Sequence, residues 1–449
     1  MVYKSIILAI EGGNVERVSF RSNKSFVFCI VLFFSIFCSF NFFPFITAEV
    51  QPVIGVFILL YGVVYFSTTL KINYPSLFIL IFCLALLPSL VLGISVKAVN
   101  GVSYLFYLIG PAIFCYFYKY FYLLTRSHLK FFIFIFFIIS LLQALSPETI
   151  NSIINPYFEM LIKRARFGFY GDMRGVGILY SEPAHAAKYI FVLTVLLISF
   201  KLTPFFFSEP NSGETKSSFW LALMLFICIL LNKSASLYGT YVLLMFFYLF
   251  FYVIKPTPIR LIIILSSIPV LAGLLYIGAL LELYTYLPER LASLVSSYNS
   301  VKDNFTLNDL QYFGSIRLIS VIAGYAGPFI QPLGVGIGNG GTEIFNIMQV
   351  VGFDLNSINF LTKQDVEFLK PNAYGAQIAI EAGVLGLLAI IVFLIYFLFC
   401  IRVKTKIECF YSSLLALSLF QILFFSTTTV TAPWMTLALS LYSLKRLKS

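Results

Sequence analysis

The sequence predicts an all-α polytopic integral membrane protein with about 12 transmembrane helices. Three observations carry that prediction. Hydrophobic residues make up 60% of the 449 residues and charged residues only 11%, whereas a soluble domain carries about 25% charged residues. Apolar runs of membrane-crossing length recur along the whole chain. The basic residues also segregate to alternate connections between those runs. An aromatic content of 18% excludes a disordered chain, since disordered segments are poor in such residues.

The runs place spans at about 25–46, 52–70, 75–96, 101–118, 129–145, 184–200, 218–231, 237–254, 259–281, 374–401, 408–427 and 430–444. Lipid offers the backbone no hydrogen-bond partner, so long apolar runs of this kind cross it as helices. With both termini cytoplasmic, the inside segments hold 18 of the 30 basic residues and five of the 19 acids, a balance of +13. The outside is left with −2, so the total of +11 is a topology signal of the positive-inside kind. Nucleic acid is not needed to explain it. The first 24 residues are interrupted by Glu11, Asn14 and Glu16, unlike a cleavable signal peptide. The seven cysteines fall in or beside spans, and no Cys/His spacing resembles a metal site.

The whole chain, 1–449, reads as a single transmembrane domain from which two large outside loops project, 146–183 and 282–373. A chain this apolar that keeps so many polar residues on one face is expected to do its chemistry there.

The first loop carries Lys163-Arg164-Ala165-Arg166, Asp172-Met173-Arg174-Gly175 and Ser181-Glu182-Pro183-Ala184-His185. Arginine forks bind phosphate oxygens bidentately and keep their charge when partly desolvated, so Arg164, Arg166 and Arg174 fit a phosphate or diphosphate ligand. Lipid headgroups are an equal reading for the Lys163–Arg166 cluster. Glu182 stands where the next helix begins, with Pro183 suited to its first turn. His185 and Lys188 lie one turn apart at the outer end of that span. Ionisable groups at membrane depth are functional candidates, although a structural hydrogen bond or snorkelling explains both equally well.

The second loop carries Tyr312-Phe313-Gly314-Ser315-Ile316-Arg317, an apolar stretch Leu318–Ile330, and then Pro332-Leu333-Gly334-Val335-Gly336-Ile337-Gly338. Thirteen apolar residues are too few to span, so an interfacial or re-entrant helix is expected, with Arg317 near its N-terminus where phosphate is favoured. The glycine run lacks the Gly-Lys-Ser/Thr of a nucleotide loop and reads as a close-approach turn beside a bulky ligand. Asn372 and Tyr374 precede a span that carries Glu381 near its outer end. For Glu381, helix packing and ligand contact both fit.

These segments together resemble the O-antigen polymerases (Wzy type), within the O-antigen polymerase and ligase superfamily. The pieces that carry the resemblance are Arg174-Gly175 followed by Glu182-Pro183; Gly314-Ser315-Ile316-Arg317 followed by Pro332-Leu333-Gly334-Val335-Gly336; and Asn372-Ala373-Tyr374 followed by Glu381-Ala382-Gly383-Val384-Leu385-Gly386. The resemblance implies a GT-C-like glycosyltransferase of the bacterial inner membrane, with two large periplasmic loops and short interfacial helices. It would join undecaprenyl-diphosphate-linked oligosaccharide repeats without metal or other cofactor. Arg166, Arg174 and Arg317 would engage the diphosphate, Glu182 or His185 would act as base, and Arg164, Lys188, Asn372, Tyr374 and Glu381 are further candidates. Implied partners are the lipid-linked oligosaccharides, membrane lipids, a polysaccharide chain-length regulator and a flippase.

Two alternatives compete with this reading. An O-antigen ligase would transfer finished polymer to the lipid A core, but ligases commonly carry a histidine where this chain has Pro371. A lipid-linked oligosaccharide transporter would line a cavity with charge, whereas these spans carry almost none.

Overall fold

The computed structural model describes residues 25–41, 53–69, 74–97, 100–163, 165–169, 175–207, 215–254, 310–357 and 370–448. Helix is the only extended regular structure among them. It runs α1 Ser25–Ile36, α2 Val53–Thr69, α3 Tyr74–Val96, α4 Asn100–Tyr120, α5 Arg126–Leu145, α6 Glu148–Leu161, α7 Pro183–Leu202, α8 Thr215–Asn232 and α9 Ala235–Ile254. Then come α10 Leu310–Ile330, α11 Gly340–Val351, α12 Tyr374–Phe399, α13 Lys406–Phe424 and α14 Ala432–Arg446. One isolated antiparallel bridge joins Phe169 and Val176.

Six helices among the described residues are long and apolar enough to cross a membrane: Val102–Leu123, Arg126–Leu145, Pro183–Leu202, Ala235–Val253, Tyr374–Phe399 and Lys406–Phe424. That is the signature of a polytopic membrane protein. A helix occupies every expected span except 259–281, which lies outside the described residues.

Three elements differ from the sequence expectation. The apolar run from residue 25 stops being helical at Ile36; the backbone then turns, and Asn41 N–H donates to the Leu161 carbonyl at 2.8 Å. The expected 13-residue interfacial helix is a 21-residue helix, α10, so Arg317 sits two turns inside it rather than at its N-terminus. The span at 374–401 is two helices joined at Gly383, whose φ of 60° and ψ of −141° are not helical.

The residues group into two compact units, Met1–Ile58 with Cys115–Thr240, and Leu59–Phe114 with Tyr241–Ser449. In the first, α5, α7 and α8 pack together. Gln143 at the end of α5 and Asn232 at the end of α8 both bond the stretch leading into α7, while Arg126 and Ser218, at the starts of α5 and α8, bond each other. Helix α7 therefore runs antiparallel to the other two. Thr125 starts α5 with a capping box, its hydroxyl accepting from His128 N–H while the His128 ring accepts from Thr125 N–H.

In the second unit α10 and α12 run parallel and very close. A Cβ on Gly324 would press on Ala376 and one on Gly327 on Ile380, so small residues one turn apart let the backbones approach. Helices α13 and α14 pack face to face, with Ser418 and Thr436 hydroxyls 2.7 Å apart. The centre of this unit is aromatic. Trp434 meets Tyr374 edge-on with ring centroids at 5.0 Å and touches Phe393 at 5.8 Å, and Gly110 leaves the room its indole occupies.

Candidate functional site

The candidate residues divide between the units. In the first, the stretch from α6 to α7 is anchored at many points, although it is largely irregular. Helix α6 buries Phe158 with Ile154 against Ile162, Ala165 and Leu179. The adjoining apolar edge, Ile150, Ile153, Tyr157, Met160 and Leu161, is exposed in a helical i, i+3, i+7 series, as are Leu142 and Leu145 of α5. Glu148, Ser152 and Glu159 occupy the polar face. This pattern is that of an amphipathic helix with an exposed apolar edge. Immediately after it, Lys163 is half-buried and Arg166 exposed. Arg166 stands between Ala165, which is buried, and Phe167, whose N–H donates to Asn155 Oδ1 at 2.6 Å.

Two amides then hold the chain as it enters α7. Gln143 donates to the Ile178 carbonyl and accepts from Ile178 N–H, each at 2.8 Å. Ile178 has φ of +55°, rare for a β-branched residue and costly unless its surroundings over-determine it. The two-point bracket from Gln143 is that restraint. Asn232 donates to the carbonyls of Val176 and Pro183, both at 3.0 Å, while Val176 N–H donates to Leu231. Gly175 approaches the Leu231 and Asn232 carbonyls too closely for any Cβ. Tyr180 stacks on Tyr189 at 4.9 Å and donates to the Ile36 carbonyl, and Tyr189 meets Cys38 Sγ at 2.8 Å.

This scaffold presents Glu182 half-buried at the N-cap position of α7, where its side chain makes no capping bond. The backbone carbonyl of Glu182 accepts from His185 N–H, so the two side chains belong to the same first turn. His185 and Lys188 are half-buried. Arg164 and Arg174 lie outside the described residues.

In the second unit the structure joins segments far apart in sequence. The break at Gly383 releases backbone groups, and the stretch after α10 takes them up. Val335 N–H donates to the Ile380 carbonyl and Gly336 N–H to the Glu381 carbonyl, both at 3.1 Å, while Val384 N–H donates to the Pro332 carbonyl at 2.9 Å. Ser89 Oγ of α3 also donates to the Glu381 carbonyl, and Ile337 N–H donates to the Ser89 carbonyl. Gly334, Gly336 and Gly338 have φ of 78°, 86° and 84°, the left-handed region that glycine alone enters without strain.

The Glu381 carboxylate is buried and accepts from Gly338 N–H at 2.9 Å. The carboxylate also lies directly against Gly340, where an added Cβ would press on it. It thus sits on the first turn of α11 as a distant cap, favoured by the positive end of that helix. Of the two readings open for Glu381, packing is the one its partners support. Tyr374 is equally committed: it is 1% exposed, its hydroxyl donates to the Tyr107 carbonyl at 2.8 Å, and its N–H donates to the Ser426 carbonyl.

Arg317 is different. It is exposed on α10, and its carbonyl accepts from Ser320 Oγ, which in turn accepts from Asn372 N–H at 3.4 Å. The structure therefore sets Arg317 and Asn372 on either side of Ser320, at the start of α12, and withdraws Tyr374 and Glu381 into the core.

Gln143, Asn232 and Ser89 are the positioning residues that sequence reasoning passed over. Their signal was an amide or hydroxyl kept inside an otherwise apolar run, where an unsatisfied polar group is expensive. No family model matches this chain, and neither a curated protein nor a solved structure does.

Proposed function

We propose that this chain is a membrane-embedded glycosyltransferase of the O-antigen polymerase (Wzy) type, with about 12 spans, a GT-C-like fold and both termini on the cytoplasmic side of a bacterial inner membrane. The observation that best supports the reading is the backbone pairing of two resemblance segments, Pro332–Gly336 and Glu381–Gly386, into one support beside α10, which carries Arg317. Of the further candidates, Glu381 serves that support and Tyr374 is engaged by Tyr107 and Ser426, which leaves exposed cations and the α7 mouth to meet substrate.

In the proposed reaction the bond between the donor sugar's anomeric carbon and the undecaprenyl diphosphate breaks. The diphosphate leaves with the electron pair, and a hydroxyl of the next lipid-linked repeat bonds to that carbon. Arginines proposed for the diphosphate, either Arg166 with Arg174 in the first unit or Arg317 in the second, hold the negative charge developing on the leaving group. Glu182 or His185 accepts the proton of the attacking hydroxyl.

The test is to incubate purified protein with undecaprenyl-diphosphate-linked repeats alone. Polymer formed by the wild type and lost in Arg166→Ala or Arg317→Ala, at unchanged protein levels, is the expected result. Absence of polymer from the wild type, with transfer of sugar to a lipid A core supplied instead, would replace this reading by a ligase. Undiminished polymer from both variants would remove the arginines from the site.

A further inference from the structure

We propose that α6 lies flat on the bilayer surface with Ile150, Ile153, Tyr157, Met160 and Leu161 set among lipid acyl chains, and that it holds the entry of α7 at that level.

The orientation follows from where its two ends are fastened. Helices α1 and α5 run parallel, because Phe28 faces His128, Phe33 faces Phe132 and Phe37 faces Phe136, at ring-centroid distances of 6.2, 6.3 and 5.7 Å. Only Ser146 and Pro147 separate the end of α5 from the start of α6. At its other end the Leu161 carbonyl accepts from Asn41 N–H, just beyond α1. Both ends of α6 are therefore at the same end of the bundle. Its 14 residues, rising about 1.5 Å each, make a rod of about 21 Å. Standing along α5, such a rod would put its ends at different depths, so it lies across the bundle. Leu179, on the way into α7, packs on the same cluster as Phe158 and Phe40.

This end of the bundle marks the edge of the hydrocarbon layer, since α5 and α7 are each long and apolar enough to cross it and both terminate here. Around α6 the side chains fall into three sectors. Phe158 and Ile154 pack on the protein. Glu148, Ser152 and Glu159 form an exposed polar sector. The remaining sector is apolar, yet ranges from 45% exposed at Ile150 to 77% at Met160. Five such side chains along one short helix are a patch that water does not favour. A bilayer accepts it, because an interfacial helix sinks its apolar edge about 5–10 Å into the boundary between headgroups and acyl chains. Two acids on the polar sector make headgroup charge a poor driving force, so apolar burial carries the contact. The proposal rests on α5 and α7 crossing the bilayer and is independent of the glycosyl-transfer reading.

The experiment places the photo-crosslinker p-benzoylphenylalanine singly at Ile153, Tyr157, Ser152 or Glu159 of the full-length protein, with Phe134 of α5 as the reference. All five positions are exposed, so the probe displaces no packed side chain. The protein is irradiated in vesicles of zwitterionic phosphatidylcholine, and intact-mass analysis reads the phospholipid adduct. Ile153 and Tyr157 should gain one lipid mass, as Phe134 does, and Ser152 and Glu159 should not. Adducts at Phe134 without any at Ile153 and Tyr157 would overturn the proposal, as would equal adducts at all four positions of α6. Crosslinks from Tyr157 to a second copy, or to another segment of the chain, would give the edge a protein partner instead of lipid. Failure of Phe134 to react would take α5 out of the bilayer and the proposal with it.

Discussion

The Glu381 carboxylate accepts a hydrogen bond from Gly338 N–H across 43 residues of sequence, at 2.9 Å and almost wholly out of solvent. This bond ties the broken α12 to the turn before α11. The same carboxylate packs against Gly340 at the start of α11. Removing it strands the Gly338 N–H, at about 1–3 kcal/mol, and leaves a void in the buried turn. Glu381→Ala should therefore lower stability by about 3 kcal/mol, seen as a large fall in thermal midpoint in detergent. Glu381→Gln, which keeps an acceptor oxygen, should fall less. An unchanged midpoint in the alanine variant would show that the carboxylate is not a structural cap.

Gly334 and Gly383 face each other across the break, both at positive φ, and a Cβ on either would overlap the partner's backbone. Gly334→Ala and Gly383→Ala should each prevent accumulation of folded protein. Gly239 of α9 has nothing within 4 Å of its added Cβ, so Gly239→Ala should be neutral or stabilising by up to about 1 kcal/mol. Expression and melting of the three variants side by side give the comparison.

Gln143 and Asn232 together hold Val176, Ile178 and Pro183. Gln143→Leu and Asn232→Leu should each cost about 1–2 kcal/mol, the range for hydrogen bonds between membrane segments. Hydrogen exchange should rise first in residues 175–182, while α13 and α14 stay protected. Uniform loosening of the whole chain would argue against a local role.

Burial, reinforced by Tyr189 and Cys38, keeps the Tyr180 phenol protonated well above the ordinary tyrosine value. In the unfolded chain that phenol ionises near pH 10. Above that pH the unfolded state loses the proton while the folded state keeps it, so stability falls as pH rises through about 10 and is fully present below. Tyr180→Phe should lose the bond to the Ile36 carbonyl at neutral pH, yet show a shallower alkaline decline than wild type in melts between about pH 9 and 11. Parallel declines would place the alkaline sensitivity elsewhere.

The helices were legible because hydrophobic length is a local property. The run at 374–401 could be read as helical from its own residues, but its break at Gly383 could not. That glycine leaves the helical region only because Pro332–Gly336 supplies substitute hydrogen bonds, and periodicity does not register a partner some 50 residues away. The glycine run was readable as a close-approach turn, but the partner expected for it was a bulky ligand, whereas its approach is to a helix of the chain itself. The same blindness separates the candidates. Arg317 and Tyr374 looked alike as polar groups near an apolar run, yet one is exposed and the other is fixed by Tyr107 and Ser426. Gln143 and Asn232 carried a usable signal, an amide closing each apolar run, that attention to charged residues obscured.

The interruption at Gly383 also bears on how the chain is made. Ser89 and the Pro332–Gly338 turn, which satisfy its loose backbone groups, precede it in the direction of synthesis. A ribosome delivering residues 374–399 into lipid thus supplies the defect after its complements, so the exposed carbonyls meet waiting donors rather than hydrocarbon. Reversing that order by circular permutation would ask the membrane to accept an unpaired kink first.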